Sequence, residues 1–256
     1  MNRLLVILLF ISLRGLSQNY SDFINKFLPE DELNPDNIIS QYNQYDFSST
    51  WNTTKNHLIV GIIGAEHERI RIKFLEVLKT DSNTYTVKGK SLRNNLVRDF
   101  SGTIKLFQIN TFKKHHLGVD NIYADSNILA QGVLIAKYRF EESKKQPEGG
   151  RFEGTLYTKW YLDSSNRIQY DQIESGADSY MNNAFIGTWV SYKTRQTLSC
   201  NWGDFRVPLA NQDFDVGAAE FSPSNKYLDK GWAIYQQAWL YRNIEAQKQE
   251  LTEWWN

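Results

Sequence analysis

Phe185-Ile186-Gly187-Thr188-Trp189-Val190-Ser191-Tyr192 is the stretch on which the fold turns. Its first four residues have the form Phe-x-Gly-Thr, which occurs twice more, at Phe100–Thr103 and Phe152–Thr155. Side chains two apart in a strand share a face. Phe and Gly therefore share one face with Ile104, Leu156 or Trp189, while Ser101, Glu153 or Ile186 points the other way. The recurring inner set is aromatic, glycine, large apolar. A glycine on the inner face lets the strand bend, or lets another side chain approach its backbone. Repeated glycines of this kind help a sheet close into a barrel.

Outward from these copies the chain reads as short strands. Arg69-Ile70-Arg71-Ile72-Lys73-Phe74 alternates basic and apolar residues, the period of a strand with one buried face. The alternation slips at Leu75-Glu76-Val77, which predicts a bulge. Further strands are expected at 84–91, 100–109, 132–141, 152–162, 168–173, 185–192 and 197–207, with loops at 80–83, 143–150 and 175–183. Residues 210–230 read as irregular. From Gly231 to Asn256 the pattern turns helical, with Trp232, Tyr235 and Trp239 spaced by three and four. Such a helix would plug one end of a barrel or lie outside it. The expected fold is mainly β: a meandering antiparallel β-barrel of about eight to ten strands with a C-terminal helix.

The N-terminus reads as an export signal. Arg3 precedes an apolar run from Leu4 to Leu13, and Gly15-Leu16-Ser17 fits a peptidase site before Gln18. The run is too short for a membrane span, which needs about 20 residues. The expected division is a signal peptide over 1–17, a polar lead-in over 18–50 broken by Pro29 and Pro35, and one barrel domain over 51–256. Within the lead-in, a short helix at 36–42 is the only element expected. The protein is expected to be exported, periplasmic or secreted, with no integral membrane span. Asn19-Tyr20-Ser21 and Asn52-Thr53-Thr54 match the glycosylation pattern.

Composition narrows the partners. Twenty-nine basic and 29 acidic side chains cancel, so no basic footprint speaks for nucleic acid. The 14% aromatic content favours strands. No cofactor fingerprint, phosphate-binding glycine loop or nucleophile elbow is present. The four histidines, His57, His67, His115 and His116, lack metal-ligand spacing. Cys200, the single cysteine, shares a face with Leu198 and Trp202 and reads as core. No catalytic or metal residue is expected.

The most chemically loaded stretch is Cys200-Asn201-Trp202-Gly203-Asp204-Phe205-Arg206-Val207-Pro208. Unbroken alternation would place Trp202, Asp204 and Arg206 on one face, with an Asp204–Arg206 pair satisfying itself or orienting a ligand near the barrel mouth. Trp160 and Trp189 would line the same interior. The leading expectation is a non-enzymatic binding protein for a small apolar or amphipathic ligand, held in or at the mouth of the barrel. The alternatives are an extracellular hydrolase using Asp204, Asp215 or Glu220, and an envelope protein that meets a protein partner through Trp254 and Trp255.

The Phe-x-Gly strand starts, with Gly187-Thr188-Trp189 among them, resemble the lipocalin-like, calycin-type β-barrels, in which a Gly-x-Trp pair marks one strand. The likeness covers about residues 50–207, although the Gly-x-Trp of lipocalins lies on the first strand and this one lies late. The Cys200–Pro208 run is similar to that of exported bacterial proteins of comparable size. The resemblance implies a barrel and carries no activity.

Overall fold

A computed structural model describes residues 32–256; the segment expected to be a signal peptide and the Asn19 acceptor pattern lie outside the described residues. Ten strands form one antiparallel sheet: β1 (Ile59–Ile63), β2 (Glu68–Arg69), β3 (Arg71–Asp81), β4 (Thr84–Arg93), β5 (Leu96–Thr111), β6 (Ala130–Glu142), β7 (Gly150–Leu162), β8 (Ile168–Tyr170), β9 (Asn182–Ser191) and β10 (Thr197–Asp204). Nine of them lie side by side in the order β2-β1-β10-β9-β7-β6-β5-β4-β3, curled into a half-barrel, and β8 pairs with the far end of β7.

The meander is complete from β3 to β10, and β10 then pairs with β1. At the two ends of the row stand β2 and β3, which Ile70 alone separates. Arg69 pairs with Ile62 of β1, the Ile70 amide donates to the Gly61 carbonyl at 3.1 Å, and Arg71 pairs with Leu92 of β4. The chain thus bends once at Ile70 and bridges both ends of the sheet. The two ends of the row are joined by covalent continuity and not by a β2–β3 ladder. Gly61 permits this seam, since a Cβ there would lie 2.9 Å from both Ile70 and the Trp202 side chain.

The threefold motif does what its alternation implies. Phe100, Phe152 and Phe185 are buried in the central core with Ile104, Leu156 and Trp189. Gly154 and Gly187 face each other across β7 and β9, and the Tyr138 hydroxyl fills the space where a Gly187 side chain would stand. The slip after Phe74 is a bulge in the β3–β4 register.

The sequence reading overlooked β1. Ile59-Val60-Gly61-Ile62-Ile63 lacks alternation because both of its faces are covered. Ile63 belongs to the interior, while Val60 and Ile62 pack outward against Phe214, Phe221, Trp232 and Tyr235. The last strand ends at Asp204, short of the expected Val207. The expected 36–42 helix is a single turn, α1 (Ile39–Tyr42). The C-terminal region holds two short helices, α2 (Ala233–Trp239) and α3 (Ile244–Leu251), broken where Arg242 takes φ +54. They lie on the outer layer over β1 and β2. The segment that enters the barrel is the lead-in: Phe47 and Trp51 are in the central core, and the Trp51 indole donates to Thr158 Oγ1 at 3.0 Å.

Candidate functional site

The interior of the barrel is filled by side chains. Trp202 stacks on Phe185 with centroids 4.6 Å apart and meets Tyr138 and Phe152 edge-on. Trp160 is fully buried against Tyr42 and Phe47. Trp189 donates its indole N–H to the buried Glu142 carboxylate at 2.9 Å. The hollow beside Trp202 measures about 10 Å³, room for one water at most. The three tryptophans expected to line an interior ligand cavity therefore serve packing. Cys200 is buried among them, and burial pushes its thiol far above the usual range. Such a thiol is inert.

Asp204 and Arg206 do not share a face. The β9–β10 register shifts between Trp202 and Asp204, and Phe205 takes φ +68, so the alternation is lost at the strand end. Asp204 points inward and accepts hydrogen bonds from Thr54 Oγ1 and Asn183 Nδ2, each at 2.7 Å. Asn183 also donates to the Thr50 carbonyl at 2.8 Å. The cluster fastens residues 50–54, where the lead-in meets the barrel domain, into the mouth of the barrel. Arg206 swings to the outer layer, where it is buried and pairs with the Asp215 carboxylate and the Ala219 carbonyl. The expected Asp204–Arg206 pair is replaced by two separate ones. The carboxylates considered for hydrolysis are likewise parted: Asp204 inside, Asp215 tied to Arg206, Glu220 exposed.

Burial pushes the Asp204 carboxyl up to about 7, against the opposing pull of its Thr54, Tyr170 and Asn183 neighbours. A group whose folded pKa exceeds its unfolded value contributes stability that is full below the unfolded pKa and lost as pH rises through the folded one. With an ordinary value of 3.8, the loss between pH 6 and pH 8 is on the order of 1 kcal/mol. Asp204→Asn retains an acceptor for Thr54 and Asn183 and should remove that part of the pH dependence. Urea titrations at pH 6 and pH 8 measure it, and an unchanged slope in the variant would refute the assignment.

The principal hollow lies beside the same mouth, outside the barrel. It is a cleft of about 480 Å³ between the 175–180 loop, the end of β10 and the outer layer. Its walls carry the rings of His57, Tyr180, Phe205, Phe221, Tyr235 and Trp239. His57 stacks on Trp239 at 5.2 Å, and Phe205 meets Tyr180 edge-on at 5.2 Å. A bulky residue at positive φ is a costly outlier. Here the Phe205 amide is held by the Leu58 carbonyl at 2.7 Å, and that backbone turn projects the ring into the cleft. Burial first, and the Lys55 charge second, hold the His57 imidazole below its usual range. The Trp239 indole N–H is buried without an acceptor.

Of the residues expected at a site, Arg206 alone lines this cleft; Trp160, Trp189, Trp202 and Asp204 do not. The sequence reading missed the ring set because its members come from five separate stretches. The one legible signal was the spacing of Tyr235 and Trp239. Among the described residues no cluster of His, Cys, Asp and Glu could hold a metal ion, and no helix is long and apolar enough to cross a membrane. Trp254 and Trp255 pack on the barrel: the Arg71 guanidinium lies 5.6 Å from the Trp254 ring, and the Lys73 ammonium 4.9 Å from that of Trp255. No family model matches the chain, and neither a curated protein nor a solved structure matches it.

Proposed function

We propose that the chain is an exported, non-enzymatic binding protein of lipocalin-like construction, with its small-ligand site in the aromatic cleft at the barrel mouth. The carrying observation is a contrast in space. The hollow beside Trp202 in the interior measures about 10 Å³, whereas the cleft offers about 480 Å³, within the range of ligand pockets. Phe205 supports the reading: a strained backbone held in place by its surroundings often marks a site, and its ring faces the cleft. Aromatic walls with a few polar groups suit a small amphipathic molecule.

Mass spectrometry of protein purified without denaturation should show a small molecule retained by the wild type and released on unfolding. Trp239→Ala removes the widest ring of the wall and should leave the protein folded but empty, with melting temperature lowered by only a few degrees, as Trp239 is half-buried. If both proteins carry the same molecules, or none, the cleft is not the ligand site.

A further inference from the structure

Resting on the reading of this cleft as a binding site, we infer that its ligand is an organic cation, a quaternary or alkylated ammonium compound, held between aromatic rings and two unpaired carboxylates. The charges on the cleft wall support this class. Arg206 is the only Lys or Arg on that wall, and its guanidinium is already committed to Asp215 and the Ala219 carbonyl. His57 is neutral at neutral pH, since its proton affinity is lowered. Asp178 and Glu220 also stand on the wall. Both are exposed, and among the described residues neither has a hydrogen-bond or ion-pair partner. The lining therefore presents two unpaired negative charges and one cation, Arg206, that is already paired, while Lys159 and Arg69 approach the Tyr180 and Tyr235 rings at 5.5 and 5.0 Å. An anionic ligand, such as a fatty acid or a phosphate, would meet repulsion from both acids and find no unpaired Lys or Arg in the lining.

The walls distinguish a cation from a neutral apolar ligand. Leu58, Ala177 and Ala219 are the only aliphatic side chains in the lining; the rest of the apolar surface is ring. Ring faces carry negative quadrupole potential and attract a cation lying over them. Alkylated ammonium groups are weakly hydrated, so they give up little on entering an aromatic enclosure. Rings and carboxylates then act on the same ligand charge, the rings at short range and the rim acids over a longer distance.

Isothermal titration with choline and with its uncharged isostere 3,3-dimethylbutan-1-ol tests the class directly. Choline should bind at least about tenfold more tightly than the alcohol, the advantage expected of one cation–ring contact. Its affinity should fall with added salt, and Asp178→Asn/Glu220→Gln should weaken it about tenfold without moving the melting temperature, since both acids are exposed. Trp239→Ala should abolish it. Equal or tighter binding of the alcohol, or Trp239-dependent binding of glucose or decanoate in place of choline, would overturn the cation assignment while leaving the cleft as the binding site. Choline binding that survives Trp239→Ala would place the ligand elsewhere and overturn both. If no probe binds and the native protein carries no small molecule, both readings fail together.

Discussion

Trp202→Ala should destabilise the protein by about 3–5 kcal/mol, the range for removing a large buried aromatic. Trp202 is fully enclosed, stacked on Phe185 and in edge contact with Tyr138 and Phe152. Its Cβ also abuts the Gly61 seam, where the two ends of the sheet meet. The neighbours are rings on separate strands, β6, β7 and β9, and cannot collapse together without breaking ladder hydrogen bonds. The vacated space should therefore persist as a cavity, and the lost contacts are not regained. Chemical denaturation measures the loss. A change below 1 kcal/mol would mean that the interior is more loosely filled than the ring geometry implies. Under the cleft hypothesis, choline affinity per folded molecule stays the same, because Trp202 does not line that hollow.

Glu250→Ala should cost a comparable amount. Its carboxylate forms a two-pronged pair with Arg69, at 2.7 and 2.6 Å, and both side chains are almost wholly enclosed. Arg71 adds a hydrogen bond to the Glu250 carbonyl at 2.9 Å. The Arg69 guanidinium also lies 5.4 Å from the Trp232 ring and 5.0 Å from that of Tyr235. Removing the carboxylate strands a buried cation, which costs about 3–5 kcal/mol. Burial alone would raise the Glu250 pKa, but Arg69 and then Arg71 outweigh it and hold the carboxyl below its ordinary value of 4.5. A depressed folded pKa contributes stability above the unfolded value that is lost as pH falls through the folded one. The wild type should therefore lose this contribution in acid below pH 4.5, and Glu250→Ala should not. Arg69→Met/Glu250→Leu, which removes both charges, should recover much of the stability. If it proves as unstable as the single variant, the loss comes from packing and not from the stranded charge.

Some of this architecture was legible in the sequence because its cause is local. Alternation and glycine spacing are properties of one strand at a time, and they located β3, β4, β6, β7 and β9 along with the bulge after Phe74. The Ile59–Ile63 strand escaped because a strand covered on both faces shows no period, and the covering residues, such as Trp232 and Tyr235, lie about 170 residues away (232 − 60 = 172). The Asp204–Arg206 pairing failed for a related reason. Parity carries only as far as the backbone stays extended, and Phe205 turns to positive φ where its amide meets the Leu58 carbonyl, in the turn before β1. The cleft was the least legible feature. Its rings come from residues 57, 180, 205, 221, 235 and 239, and nothing in any one of those neighbourhoods announces the others.

The bend at Ile70 sets an order of assembly. Ile59 pairs with Asp204, a separation of 204 − 59 = 145 residues, and non-local pairings of this kind are the slow ones. During synthesis the first strand leaves the ribosome long before its partner exists. It can meanwhile form only the hairpin through Glu68 and Arg69. Its apolar outer side stays bare until Phe214, Trp232 and Tyr235 have been made. A chain stalled or cut before residue 197 would present Val60 and Ile62 to solvent next to an unpaired strand edge. That combination is a template for association with other chains. Completion of the C-terminal layer is thus the step that takes this nascent protein out of the reach of aggregation.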